Sequence, residues 1–301
     1  MAILSKLCKI FTFNKLMDKN FHILRTIKWI IPSGLVHKLS YKPDAIFYFI
    51  LHWYKLYRNR DLKDKHLGKR CFVMANGPSI LKQDILKLKG EIVISISNAY
   101  LHSDYKKISP LYHIIPNVTY ANKDSKDGIT ERTFIKWVKH MQNKTRGATL
   151  LFNYTEHSII KKNGLLKNND IKYLCMGKIV FPTSKKALDL SGIIPAVNTS
   201  VVMAIMVAMY LGCKEIYLLG VDHDWFIKKE YKYFTKMPIL KKSEHSTLGD
   251  GIYETCIGVL SIWKHYRALK LIASNSGIKI FNATHGGALD EFERVKFKSL
   301  F

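Results

Sequence analysis

Two runs of strand-type residues end in sharp turns, and this pair constrains the fold more than any other feature of the chain. Cys71-Phe72-Val73-Met74-Ala75 runs into Asn76-Gly77-Pro78-Ser79. Far downstream, Glu215-Ile216-Tyr217-Leu218-Leu219 runs into Gly220-Val221-Asp222-His223-Asp224. Short apolar runs bounded by turn residues read as strands. In an open parallel α/β sheet, ligands sit beyond the carboxyl ends of the strands, and both turns fall at such ends. A helix-like stretch from Ile80 to Leu88 follows the first turn, so backbone N–H groups at a helix start could take a phosphate. Plain turn geometry is the alternative, since Asn, Gly and Pro each favour it. The second turn offers two carboxylates and an imidazole; Asp222 could equally cap a helix.

From Lys69 onward, strands and helices alternate. The pattern predicts strands at 70–75, 91–96, 111–115, 149–152, 215–219 and 279–281. It predicts helices over 79–88, 130–141, 201–211, 252–273 and 288–297, and a surface loop over 161–170. Asn198 is the expected N-cap of the third of these helices and Gly212 its C-cap. That helix is apolar all round, so it should be buried. The expected fold is α/β: one doubly wound, mainly parallel sheet with right-handed crossovers. Residues 223–250 lack periodicity, and a segment of that length inside a compact domain reads as a lid or binding loop.

With 301 residues, 48% of them hydrophobic, the chain can build one large core. Its formal charge is +25. Such a charge attracts nucleic acid, acidic lipid headgroups, or phosphorylated and acidic sugars. No RNP-like or helix-turn-helix pattern is present, so nucleic acid is not expected. The first 70 residues hold 15 Lys and Arg against 4 Asp and Glu, a net of +11. Basic residues alternate there with aliphatics and Trp, as in Arg25-Thr26-Ile27-Lys28-Trp29. This suits an anionic membrane surface; packing of the apolar face on the following domain is the alternative. Residues 1–68 therefore read as a basic amphipathic helical extension, and 69–301 as the catalytic domain with its lid. Cys8, Cys71, Cys175, Cys213 and Cys256 form no CxxC pair, which fits reduced thiols and no structural zinc. No apolar run reaches the roughly 18 residues of a spanning helix, and the first 19 residues lack the apolar region of a cleaved signal.

Several residues at the predicted strand ends carry chemistry. Gly77 allows close backbone approach, Pro78 suits a first helical position, and Asn76 could donate from its amide. Asn98 follows the second strand. Thr199 and Ser200 open the buried helix, where hydroxyls and N–H groups can bind an anion or simply cap. Asp222 and Asp224 could hold Mg²⁺ against a diphosphate, or Asp222 and His223 could orient a substrate without metal. His245, in the long loop, could act as a general base; His285, beside Gly286 and Gly287, is a weaker candidate.

These motifs resemble a known family. Asn76-Gly77-Pro78-Ser79, Ser97-Asn98 and the block from Thr199-Ser200-Val201 to Gly220-Val221-Asp222 look like the bacterial sialyltransferases of glycosyltransferase family 42. They also look like domain of unknown function 115, which includes 6-hydroxymethylpterin diphosphokinase-like proteins; the ending Asn282-Ala283-Thr284-His285-Gly286-Gly287 is closer to that group. The resemblance implies a single Rossmann-like domain plus a lid, an inverting transfer from a CMP-linked donor, and no metal. It implies that Asn76, Gly77, Ser79 and Asn98 contact the donor nucleotide and that Thr199 and Ser200 hold the donor sugar. It puts His245 in the place of the base, and Tyr231 or Tyr233 where tyrosines steady the departing phosphate. Val201 stands where the sialyltransferases carry glycine.

The expected function is transfer of a sugar from a nucleotide-activated donor to a surface-glycan acceptor, on the cytoplasmic face of the plasma membrane. A Mg²⁺-dependent diphosphokinase-like phosphotransferase and a non-catalytic basic membrane- or polysaccharide-binding module are the alternatives.

Overall fold

The computed structural model describes residues 42–116, 129–178, 184–197, 199–227 and 251–301. In chain order the elements are α1 (Pro43–Tyr57), β1 (Arg70–Met74), β2 (Val93–Ile96), α2 (Tyr105–Ile108), β3 (Tyr112–Ile114), α3 (Glu131–Gln142), β4 (Thr149–Asn153) and α4 (His157–Lys162). They continue with β5 (Ile171–Lys178), β6 (Ile193–Pro195), α5 (Ser200–Tyr210), β7 (Glu215–Leu219), α6 (Ile252–Asn275), β8 (Lys279–Asn282) and β9 (Glu293–Arg294). The strands form one nine-stranded sheet in the order β6-β5-β4-β3-β2-β1-β7-β8-β9. Every pairing is parallel. The chain walks outward from β1 to β6, then returns through α5 to the other side of β1. The order of strands therefore reverses between β1 and β7, whose registers align Cys71 with Ile216 and Met74 with Leu219.

Both faces of the sheet are covered, which is why its strands lack a polar alternation. On one face Cys71, Val73, Ile94, Ile216 and Leu218 pack beneath α5 and α6. On the other, Phe72, Met74, Val93 and Leu219 meet Ile80, Ile85 and Leu88. Farther along that second face, Leu150, Phe152, Tyr173 and Cys175 lie against α1 and α3. All ten residues from Val201 to Tyr210 are buried, as the all-round apolar pattern of α5 requires. Its N-cap is Thr199, whose side chain accepts from the Val201 N–H, and not Asn198, which lies outside the described residues. Gly212, at φ +83°, turns the chain after the helix.

Residues 42–68 are bonded into these layers. The Lys42 N–H donates to Gly177 O at 2.8 Å, and the Tyr154 hydroxyl donates to Asp44 Oδ2 at 2.6 Å. Asn59, fully buried, donates to the carbonyls of Tyr173 and Leu190. The Asp64 and His66 N–H groups meet the carbonyls of Tyr210 and Leu211.

Three expectations change. The α-helix expected from Ile80 to Leu88 is two 3₁₀ turns, Pro78–Lys82 and Ile85–Leu88. Gln83 is extended between them and donates its amide to Ala283 O, while Asp84 caps the second turn. The last helix expected, 288–297, is instead the short strand β9 and a 3₁₀ turn at Phe297–Leu300. The loop expected over 161–170 begins inside α4 and ends where β5 starts.

Candidate functional site

Because β1 and β7 are neighbours, the two turns read from the sequence abut at the switch point of the sheet. The ladder continues past both strands: the Ala75 N–H donates to Leu219 O and the Gly77 N–H to Gly220 O, each at 2.9 Å. Side chains then lock the turns together. Ser79 Oγ donates to Asp222 Oδ2 at 2.9 Å, with both residues buried. A Cβ at Gly77 would collide with the Asp222 carboxylate and with Gly220 O. The close approach that requires glycine there is thus made by the Asp222 side chain.

The end of β8 backs this arrangement. The Val221 N–H donates to Thr284 Oγ1 at 3.1 Å, and the Ala288 N–H donates to Asp222 O at 2.6 Å. His285, in the same turn, is exposed.

His223 occupies the left-handed region at φ +48°, which turns its ring toward α6. Its Nε2 shares a hydrogen bond of 2.5 Å with the Tyr266 hydroxyl. Its ring lies 5.7 Å from that of Trp263. Burial pushes the imidazole down to about 4, against the pull of the Asp224 carboxylate, so His223 is neutral at neutral pH. Tyr266 is fully buried, and its hydroxyl also meets the Thr199 side chain. Burial raises this phenol far above its ordinary value. The adjacent His265 sets Nε2 3.1 Å from Ala196 O. Helix α6 thereby ties the β7 turn to the segment that leads into α5. Sequence reasoning missed Tyr266. The signal available was a phenol on the apolar stripe Ile262, Tyr266, Leu269, Ala273, because a buried hydroxyl needs a partner.

Thr199 and Ser200 are half-buried at the start of α5, as are Asn76 and Pro78 after β1. Asn98 is buried after β2, where its Oδ1 accepts from Trp137 Nε1 at 3.0 Å. The structure therefore gathers Asn76, Gly77, Pro78, Ser79, Asp222 and His223 at the adjoining ends of β1 and β7 and links Thr199 to His223 through Tyr266. Asn198, Tyr231, Tyr233 and His245 lie outside the described residues. So do residues 1–41 and most of the expected lid. The helix start expected after β1 as a phosphate site is absent: Pro78–Lys82 is a single 3₁₀ turn without the aligned dipole of a long helix. Among the described residues, no group of three His, Cys, Asp or Glu is arranged to hold a metal ion. Asp222 and Asp224 are both buried.

A fully parallel α/β sheet whose strand order reverses between β1 and β7 has the topology of the folds that bind ligands at such a switch point. No protein-family model matches the chain, and no curated protein sequence matches it. Among solved structures the chain is similar to the sialyltransferase CstII from Campylobacter jejuni in complex with cytidine-5'-monophosphate, a substrate analogue. The two are 16% identical with a TM-score of 0.43, over 76% of this chain and 85% of that one.

Proposed function

We propose that the protein is a glycosyltransferase that uses a nucleotide-activated sugar, CMP-linked by the resemblance of its motifs. One observation carries the reading: the two motif-bearing turns, far apart in sequence, lie side by side at the β1/β7 switch point, where open α/β sheets bind ligands. In this reading Asn76, Asn98 and the backbone around Gly77 contact the nucleotide. Thr199, Ser200 and Asn198 hold the donor sugar. Asp222 positions the first turn through Ser79, and His223 fixes the second through Tyr266.

The chemistry requires an acceptor hydroxyl to attack the anomeric carbon as the bond to the nucleotide phosphate breaks. The phosphate leaves with the electron pair, and the hydroxyl proton passes to a base. A hydroxyl is a poor nucleophile at neutral pH, and a positioned imidazole contributes about 10²–10⁴-fold. His245 takes that role, with Tyr231 or Tyr233 donating to the leaving phosphate. The acceptor is a glycan or glycolipid of the cell surface. Donor turnover over a panel of CMP-, UDP- and GDP-sugars, with and without EDTA, tests the reading. It expects one donor class to be consumed, equally with EDTA, and at least about 100-fold less in His245→Ala. Turnover that collapses in EDTA would instead support the phosphotransferase, and no turnover of any donor would leave the binding module.

A further inference from the structure

Helix α1 buries one side and leaves the other unusually apolar. Ala45 and Leu56 are fully buried against the sheet, and a Cβ at Gly177 would collide with that of Ala45. On the outer side Phe47 is 57% exposed, Ile50 63%, Leu51 52%, Trp53 58%, Tyr54 51% and Tyr57 51%. All six lie on the outer side, three before and three after a kink at His52 (φ −127°). Single exposed apolar residues are ordinary, but a contiguous row of six large ones marks an interaction surface.

The charges around the row are mainly basic, with Asp44 bonded to Tyr154 and Asp61 paired with Lys172. Lys42, Arg58 and Arg60 are exposed at its two ends. The 41 residues that lead directly into the helix hold seven Lys and Arg against one Asp. We propose that the outer face of α1 docks on an anionic lipid bilayer, with its Trp and Tyr rings at headgroup depth. Aromatic and aliphatic side chains rimmed by Lys and Arg are the composition of interfacial helices. A second copy of this chain fits less well, because pairing two such faces brings two basic rims together in a molecule of charge +25. Acidic headgroups complement the rim. No described helix is long and apolar enough to cross a membrane, so the helix lies on the bilayer. This surface is independent of the reaction catalysed.

The test uses the full chain and co-sedimentation with phosphatidylcholine vesicles, with and without phosphatidylglycerol. The variant is Ile50→Gln/Trp53→Gln/Tyr54→Gln, which touches only side chains at least half exposed and leaves the charge unchanged. Wild type should partition onto the anionic vesicles at low salt, and the folded variant at least about tenfold more weakly, as expected for lost apolar burial. A wild type that does not bind, or a variant that binds equally, overturns the proposal. So does a wild-type dimer that becomes monomeric in the variant with vesicle binding unchanged, which would assign the face to a second copy. If the triple variant misfolds, quenching by brominated lipid decides. The quenching should fall in Trp53→Phe, and undiminished quenching overturns the proposal.

Discussion

Ser79 donates a hydrogen bond of 2.9 Å to Asp222 across 143 positions of sequence, and that bond joins the ends of the two central strands. Asp222 in turn fills the space above Gly77 that a side chain would need. The ends of β1 and β7 are thus held together by contacts inside the protein.

Gly77→Ala should therefore destabilise the fold, because the new methyl group meets the buried Asp222 carboxylate and a carbonyl. The expected loss is about 1–3 kcal/mol or more, the range for overpacking. Ser79→Ala leaves the buried Asp222 carboxyl with one donor fewer and should cost about 1–3 kcal/mol. The two should be non-additive, since both act through Asp222. Urea denaturation of the single and double variants measures this. Additive losses would show that the turns are not coupled as described.

Tyr266→Phe removes one hydroxyl that meets both His223 and Thr199. Two hydrogen bonds at about 0.5–1.5 kcal/mol each predict a loss of roughly 1–3 kcal/mol. The ring stays, so its packing on Phe292 and Trp263 is kept. Thermal unfolding checks the stability. Nucleotide affinity measured on the same protein should also fall, because both sides of the crevice lose their common tie.

His223 resists protonation down to about 4 in the folded protein, against 6.5 when unfolded. Between these values the unfolded chain binds more protons, so stability rises with pH through that window. The contribution is complete above pH 6.5 and is lost as pH falls toward 4. His157, at about 4, and His113, at about 3, act in the same direction. In His223→Asn, which keeps a residue tolerant of the left-handed backbone, the slope between pH 6.5 and 4 should fall by up to one proton. That is about 1.4 kcal/mol per pH unit. Urea titrations at several pH values read it directly, and an unchanged slope contradicts the assignment.

The centre of the fold was legible in the amino-acid sequence, and its periphery was not. Strands β1 and β7 and helix α5 are buried on all sides, so an unbroken apolar run bounded by Gly, Pro or Asn marks each one. Strand β5 escaped because Lys172 interrupts it. Its amine is buried and reaches the carbonyl of Arg58 and the carboxylate of Asp61, both distant in sequence. Strand β6 is only three residues long. Helix α1 lay inside the basic extension read over residues 1–68, because the bonds that join it to the sheet, Lys42 to Gly177 and Tyr154 to Asp44, link residues distant in sequence. The site divided similarly. Ser79 and Asp222 were singled out as ligand contacts, but their bond to each other depends on a strand adjacency that local pattern cannot reveal. Tyr266 bonds to His223 and Thr199 from a helix whose sequence reads simply as core.

The central claim is that the β1/β7 crevice binds the nucleotide of a sugar donor. Titration calorimetry of CMP into the full chain, and into Asn76→Ala and Asn98→Ala, tests it most directly, since the proposed reading puts both side chains on the nucleotide and neither joins the Ser79–Asp222 bond. Saturable binding is expected, weakened about tenfold or more in at least one folded variant, as for a lost hydrogen bond to a charged group. No saturable binding of CMP, UMP or GMP, or equal affinity in wild type and both folded variants, would contradict the claim.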